Sequence, residues 1–206
     1  MSFSNTLKFI ALCVGFMPAI PAFSHVTLEQ QQVETGTTYK AVLRVGHGCE
    51  GLPTMALRVQ MPSGFQGAKP MPKAGWTIQA KTEKLATPYD NYGKQITEDI
   101  TEITWAVKSP EFALKDSEYD EFILRGRAAM PVGAAWFKVT QLCAEGSKTS
   151  SNPWTEIPTS GISTRGLKYP AALLNVVAPA AAPATSVPSA APNSKPAADP
   201  HAGHKH

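Results

Sequence analysis

The chain holds five histidines in 206 residues, and they are not scattered. His25 follows Ala22-Phe23-Ser24, where Ala22 and Ser24 are the small residues that a signal-peptidase cut requires. Cleavage after Ser24 makes His25 the first residue of the mature chain. A chain-terminal histidine is a chelator, because its free α-amine and its Nδ1 can close a ring on one metal ion. An internal histidine lacks that amine. The terminal amine also gives up its proton more readily than a lysine does, so it can bind metal near neutral pH. His47 shares one glycine-rich loop with Cys49 and Glu50, and His201, His204 and His206 end the chain. Imidazole and amine nitrogens with one carboxylate suit Cu(II), which also heads the divalent affinity order. Plainer explanations stand beside this one. The position of His25 follows from wherever the peptidase cuts, His47 serves equally as a hydrogen-bonded loop residue, and the tail histidines are either inert or a weak, exchangeable metal scavenger.

Other chemistries find less support. There is no Gly-x-Ser-x-Gly elbow, no phosphate-binding loop and no dinucleotide fingerprint. A Ser/His/Asp triad needs a histidine inside the fold, and only His25 and His47 lie outside the tail. The carboxylate pairs Glu98-Asp99 and Asp120-Glu121 are sequence neighbours, which a strand points to opposite faces. Lysine and arginine number 19 against 16 acidic residues. That near balance gives no overall attraction to nucleic acid or to an anionic membrane surface.

Two ends are set aside before a fold is sought. Residues 1–24 carry Lys8 and then an apolar run, the layout of a secretory signal peptide. Lipidation at Cys13 is disfavoured, because Leu12 precedes it where a small residue is wanted. Residues 178–206 are mostly Ala and Pro with too little aliphatic or aromatic content to offset the entropy of ordering, so a disordered tether is expected. Residues 25–177 remain as one domain, exported to the periplasm or secreted. Loss of Cys13 with the signal peptide leaves Cys49 and Cys143. In an oxidising compartment a solitary pair reads as a disulfide, with a thiolate metal site as the alternative.

Within the domain, strand signals recur between Gly/Pro/Asn punctuation and helix signals are nearly absent. Tyr39, Ala41, Leu43 and Val45 share one face of residues 38–45, and residues 55–61, 76–83, 96–107, 118–128 and 136–143 also read as strands. Residues 26–33 alternate weakly, 69–75 read as a Pro-rich connector, 88–93 as a turn, 144–151 as a polar loop and 111–116 as a short helical turn. Trp76, Trp105 and Trp136 are expected in the core. Seven to nine short strands without helical crossovers predict an all-β sandwich.

Several segments, in this order, resemble the YcnI family of exported copper-binding domains. They are His25-Val26-Thr27-Leu28 after a small residue, the glycine-rich run from Val45 to Thr54, and Pro72-Lys73-Ala74-Gly75-Trp76. Ile103-Thr104-Trp105, Glu118-Tyr119-Asp120-Glu121-Phe122, Phe137-Lys138-Val139-Thr140-Gln141 and Trp154 complete them. The resemblance spans essentially the whole domain. It implies an immunoglobulin- or cupredoxin-like β-sandwich holding one Cu(II) in a mono-histidine brace. The brace residue maps to His25, the carboxylate to Glu50 and the tryptophan to Trp154. His47, beside Glu50, departs from a simple family member and offers a second imidazole.

The resulting expectation is a periplasmic Cu(II)-binding protein for storage, delivery or resistance. It is not an enzyme, and its partners are the ion and a copper chaperone or membrane copper transporter. One alternative is a histidine-brace copper monooxygenase with His47 as second ligand. The other is a structural or adhesion sandwich without metal.

Overall fold

The structure is a computed structural model that describes residues 25–180. The expected signal peptide and nearly all of the expected tail, with His201, His204 and His206, lie outside the described residues. Eleven strands follow one another: β1 (Thr27–Leu28), β2 (Gln32–Glu34), β3 (Thr38–Val45), β4 (Thr54–Gln60), β5 (Phe65–Pro70), β6 (Trp76–Asn91), β7 (Lys94–Val107), β8 (Asp120–Ala128), β9 (Gly133–Glu145), β10 (Lys148–Trp154) and β11 (Ala172–Val177). Among the described residues one 3-10 turn, Pro110–Phe112, begins one residue ahead of the expected helical stretch and covers its first two residues. Among the described residues no helix is long and apolar enough to cross a membrane.

The strands make two sheets. One has the order β1-β3-β8-β5, the other β2-β11-β9-β4-β7-β6, with β10 also paired to β9. Residues 139–143 of β9 pair with both β4 and β10, so β10 shares with β11 the edge of β9 that faces away from β4. The alternation read from residues 38–45 holds: Tyr39, Ala41, Leu43 and Val45 are all buried. Phe122 and Leu124 of β8 and Phe137 and Val139 of β9 continue the core, each fully buried and worth roughly 1.5–3 kcal/mol of transfer free energy. Edge-to-face aromatic contacts order the interior, with Trp76 at 5.0 Å and Trp105 at 5.8 Å from Phe122.

The structure corrects five local expectations. The segment 26–33 is not one strand. It breaks at residues 29–31, so that β1 joins the four-stranded sheet and β2 pairs in parallel with β11 in the other. The turn expected over 88–93 is narrower, confined to Tyr92-Gly93 between β6 and β7, because β6 runs through Pro88 to Asn91. Proline is tolerated there since β6 is the outermost strand of its sheet, and the ladder skips from Lys84 to Tyr89. Residues 69–75 are only partly connector, since Lys69 and Pro70 belong to β5. The loop expected over 144–151 is a tight hairpin, β9 and β10 being joined at Gly146-Ser147. Trp76 and Trp105 are in the core as expected, but Trp136 is half-buried on the opposite side of β9 from Phe137.

Cys49 and Cys143 form a disulfide with Cα atoms 5.7 Å apart, tying the loop after β3 to β9. The thiolate alternative is thereby excluded. Bridging 94 positions of sequence restricts the unfolded chain by an amount worth at most about 4–5 kcal/mol.

Candidate metal centre

His25 is placed by its neighbours. Val26 and Leu28 are buried at 2% and 0% exposure, and β1 pairs with the C-terminal end of β3 through Thr27 opposite Arg44 and Leu28 opposite Leu43. These anchors hold the half-buried His25 ring at the end of the sandwich, against the indole of Trp154. The ring centroids lie 5.6 Å apart with planes tilted by 58°. Trp154 reaches that point because β10 hydrogen-bonds to β9 in a register that sets Trp154 opposite Val139, on the core side. It is 1% exposed, and Tyr169, just ahead of β11, packs on it edge-on at 5.3 Å. A cleft of about 120 Å³ opens beside His25, with Thr27, Gln31, Ile162 and Thr164 on its walls.

Gln141 holds the indole. Along β9 the core-facing positions read Ala135, Phe137, Val139, Gln141 and Cys143, so a primary amide occupies a place where an apolar residue is the rule. It is 1% exposed and fully engaged. Its Oε1 accepts from Trp154 Nε1 at 3.1 Å, and its Nε2 donates at 2.7 Å both to the His47 carbonyl and to Thr54 Oγ1. One side chain therefore joins β10, the loop after β3, and β4. Sequence reading did not single out Gln141 or Tyr169. For Gln141 the signal was present, a polar residue at core parity in a clean alternation.

The loop after β3 is a miniature hairpin. Cys49 N donates to Leu52 O at 3.1 Å and Leu52 N to Cys49 O at 2.9 Å, with Glu50 (φ 52°) and Gly51 (φ 82°) between them. Two successive positive φ values are the signature of a type I′ turn. Asn, Asp or Gly is the usual choice for the first place and Gly for the second, so Glu50 sits in a conformation costing a bulky residue about 1 kcal/mol or more. Gly48 is required for another reason: a Cβ there would lie 1.8 Å from Leu52 O.

The four core site residues expected from sequence are thus brought to the same end of the molecule to different degrees. His25 and Trp154 touch. His47 is linked to Trp154 through its carbonyl and Gln141, while its Nδ1 lies 2.5 Å from the Gly48 carbonyl oxygen. Glu50 is exposed and accepts from Ser150 Oγ at 2.9 Å. Ser150 and Trp154 are four residues apart on one face of β10, about 13 Å at strand rise. Among the described residues no hydrogen bond or ion pair joins His25 to His47 or Glu50, and no three His, Cys, Asp or Glu side chains cluster as a metal site. Side chains alone therefore make no cage. The donors that His25 itself carries are its imidazole and its own main-chain nitrogen, and that nitrogen is a basic amine only where it is terminal.

Comparison with known proteins places the fold. An immunoglobulin-like protein from Nocardia farcinica superposes with a TM-score of 0.55 at 18% identity, over 74% of this chain and 97% of that one. A type I cohesin from Pseudobacteroides cellulosolvens aligns at a TM-score of only 0.36 and 10% identity, over 76% and 94%, too loosely to carry an argument. No curated protein matches the sequence significantly. The fold is an immunoglobulin-like β-sandwich, and because residues 25–176 match the family model described as a domain of unknown function (DUF1775), the chain belongs to that family, the YcnI-like domain to which its motifs point.

Proposed function

We propose that this domain binds one Cu(II) ion as cargo, for storage, delivery or resistance, after export to the periplasm. The ion is held by the amine and imidazole of a mature N-terminal His25. Glu50 supplies an oxygen donor and offsets charge, and the Trp154 indole screens one side of the site. The observation that carries this reading is the His25–Trp154 contact at 5.6 Å, with the indole itself pinned by a buried amide. A histidine of no consequence at a chain end has no reason to be seated against a buried, hydrogen-bonded tryptophan. Glu50 accepts from the hydroxyl of Ser150, about 13 Å along β10 from Trp154, so reaching the ion requires it to leave that exposed contact, which is of small net value.

The reading is of a binder that hands the ion to a copper chaperone or membrane transporter, not of an enzyme. A monooxygenase brace needs a second imidazole at the metal, and what favours the binder is that His47 already has partners in its own loop, its carbonyl accepting from Gln141 and its Nδ1 lying against the Gly48 carbonyl. The tail histidines His201, His204 and His206 serve as an auxiliary capture site.

Isothermal titration of correctly processed protein, its first residue read by mass spectrometry, should give one tight Cu(II) per domain. Adding a single residue ahead of His25 should abolish that binding. Unchanged affinity in the extended chain would sink the brace.

A further inference from the structure

The outer face of the four-stranded sheet carries an unbalanced row of cations. Register sets Lys40 of β3 opposite Arg125 of β8, and Arg125 opposite Lys69 of β5, so three positive side chains stand abreast on one surface. Their backbones span roughly 10 Å across two inter-strand steps. Arg127 follows in the next row on the same face. Directly opposed like charges destabilise a sheet. All four are exposed, and among the described residues none takes part in an ion pair. The far end of the face differs, for Arg44 there stands opposite the carboxylate-bearing Glu121. A chain whose formal net charge is only +3 has thus gathered four unneutralised cations at one end of one sheet.

Beneath them is an apolar hollow of about 230 Å³, walled by Pro70, Met71 and Ile123 together with the stems of Lys40, Lys69 and Arg125. Met71 is 52% exposed in the midst of these charges. Cations on long aliphatic stems around an exposed apolar side chain match the boundary layer of a bilayer, where the stem and the methionine lie among glycerol and upper acyl carbons and the heads reach phosphate. A folded protein partner would present carboxylates at fixed positions and needs its target cations fixed in return. Arg127 is tied by its Nε to the Gly36 carbonyl at 3.0 Å, but Lys40, Lys69 and Arg125 make no hydrogen bond to a carboxylate, whereas headgroups diffuse laterally to wherever the cations sit.

We propose that this face is a reversible docking surface for anionic phospholipid, with Lys40, Lys69, Arg125 and Arg127 reading phosphate and Met71 seated in the interface. The site stands apart from His25 and does not depend on copper.

The test is co-sedimentation of the processed, metal-free protein with phosphatidylcholine vesicles, with and without phosphatidylglycerol. Binding should require phosphatidylglycerol and weaken steeply with salt. Neutralising one cation, as in Arg125→Gln, should lower the partition about fivefold, and the triple change Lys40→Gln, Lys69→Gln, Arg125→Gln about a hundredfold. These residues are exposed, so the melting temperature serves as the folding control. Absence of binding to phosphatidylglycerol vesicles at low salt overturns the proposal, as does an unchanged partition in the triple variant. Salt-sensitive capture of a polyglutamate peptide, with vesicles ignored, overturns it in favour of an acidic protein partner.

Discussion

Glu50 shows how much one residue's backbone can say. A φ of 52° is comfortable for glycine and costly for glutamate, yet the turn holds Glu50 there beside a glycine that needs no such help. Relief of that strain by Glu50→Gly is worth about 1 kcal/mol, offset by about 0.4–1 kcal/mol from the greater freedom glycine has in the unfolded chain. The expected outcome is a urea midpoint close to that of the parent protein, together with a markedly weaker Cu(II) affinity by titration. A large loss of stability would mean instead that the Ser150 contact, not metal binding, accounts for a glutamate at this turn. Gly48 makes the contrary case at the same scale, since its lack of a side chain is needed only to let the Leu52 carbonyl approach.

At the scale of elements, the site is assembled where three segments meet that are distant in sequence. β10 delivers Trp154, the loop after β3 delivers His47 and Glu50, and β4 delivers Thr54, while the disulfide anchors the loop to β9 two residues beyond Gln141. Gln141 satisfies a polar group on each of the three. Gln141→Leu keeps the bulk but strips partners from a buried indole N–H and a buried hydroxyl, at about 1–3 kcal/mol for a group left unsatisfied. Chemical denaturation should show that loss, and the Trp154 fluorescence should change as the ring loses its fixed acceptor. A variant as stable as the parent would show that the amide does not position the indole. Equally telling is the break between β1 and β2: Tyr39, on β3, donates its hydroxyl to the Gln30 carbonyl and so fixes the point where the chain leaves one sheet for the other.

For the whole molecule, that same tyrosine sets a limit of stability. Burial, helped by the nearby charge of Glu29, raises the Tyr39 pKa well above the ordinary tyrosine range. Tyr89 is pushed up to about 12, first by desolvation and then by its hydrogen bond to Asp99. In the unfolded chain both titrate near the usual value of about 10. The folded state therefore keeps protons that the unfolded state has lost, and stability falls as pH rises past about 10. Below that value the contribution is fully present. Thermal melts between neutral pH and strong alkali should show a decline beginning there, and Tyr39→Phe should flatten it. An unchanged slope in that variant would assign the alkaline limit to other groups.

Much of this was legible without coordinates, and the reason is locality. Alternation along residues 38–45 or 136–143 is a property of each segment alone, so the inward face of 38–45, with Leu43 and Val45, could be named in advance. Along 136–143, by contrast, the expectation of Trp136 in the core picked the outward face, and Phe137 and Val139 are the inward ones. The chelating chemistry proposed for His25 depends on being first in the chain, and the reading of Cys49 and Cys143 as a disulfide needed only that they were the one pair left in the domain. Pairing between strands is another matter, because it is decided by burial summed over the whole core. Only the tertiary structure could break 26–33 between two sheets, carry β6 through Pro88, or turn Trp136 outward. Only it could bring Trp154 onto His25, give Gln141 three partners, and align Lys40, Arg125 and Lys69 across three strands, since each of those facts joins residues whose sequence positions carry no information about one another.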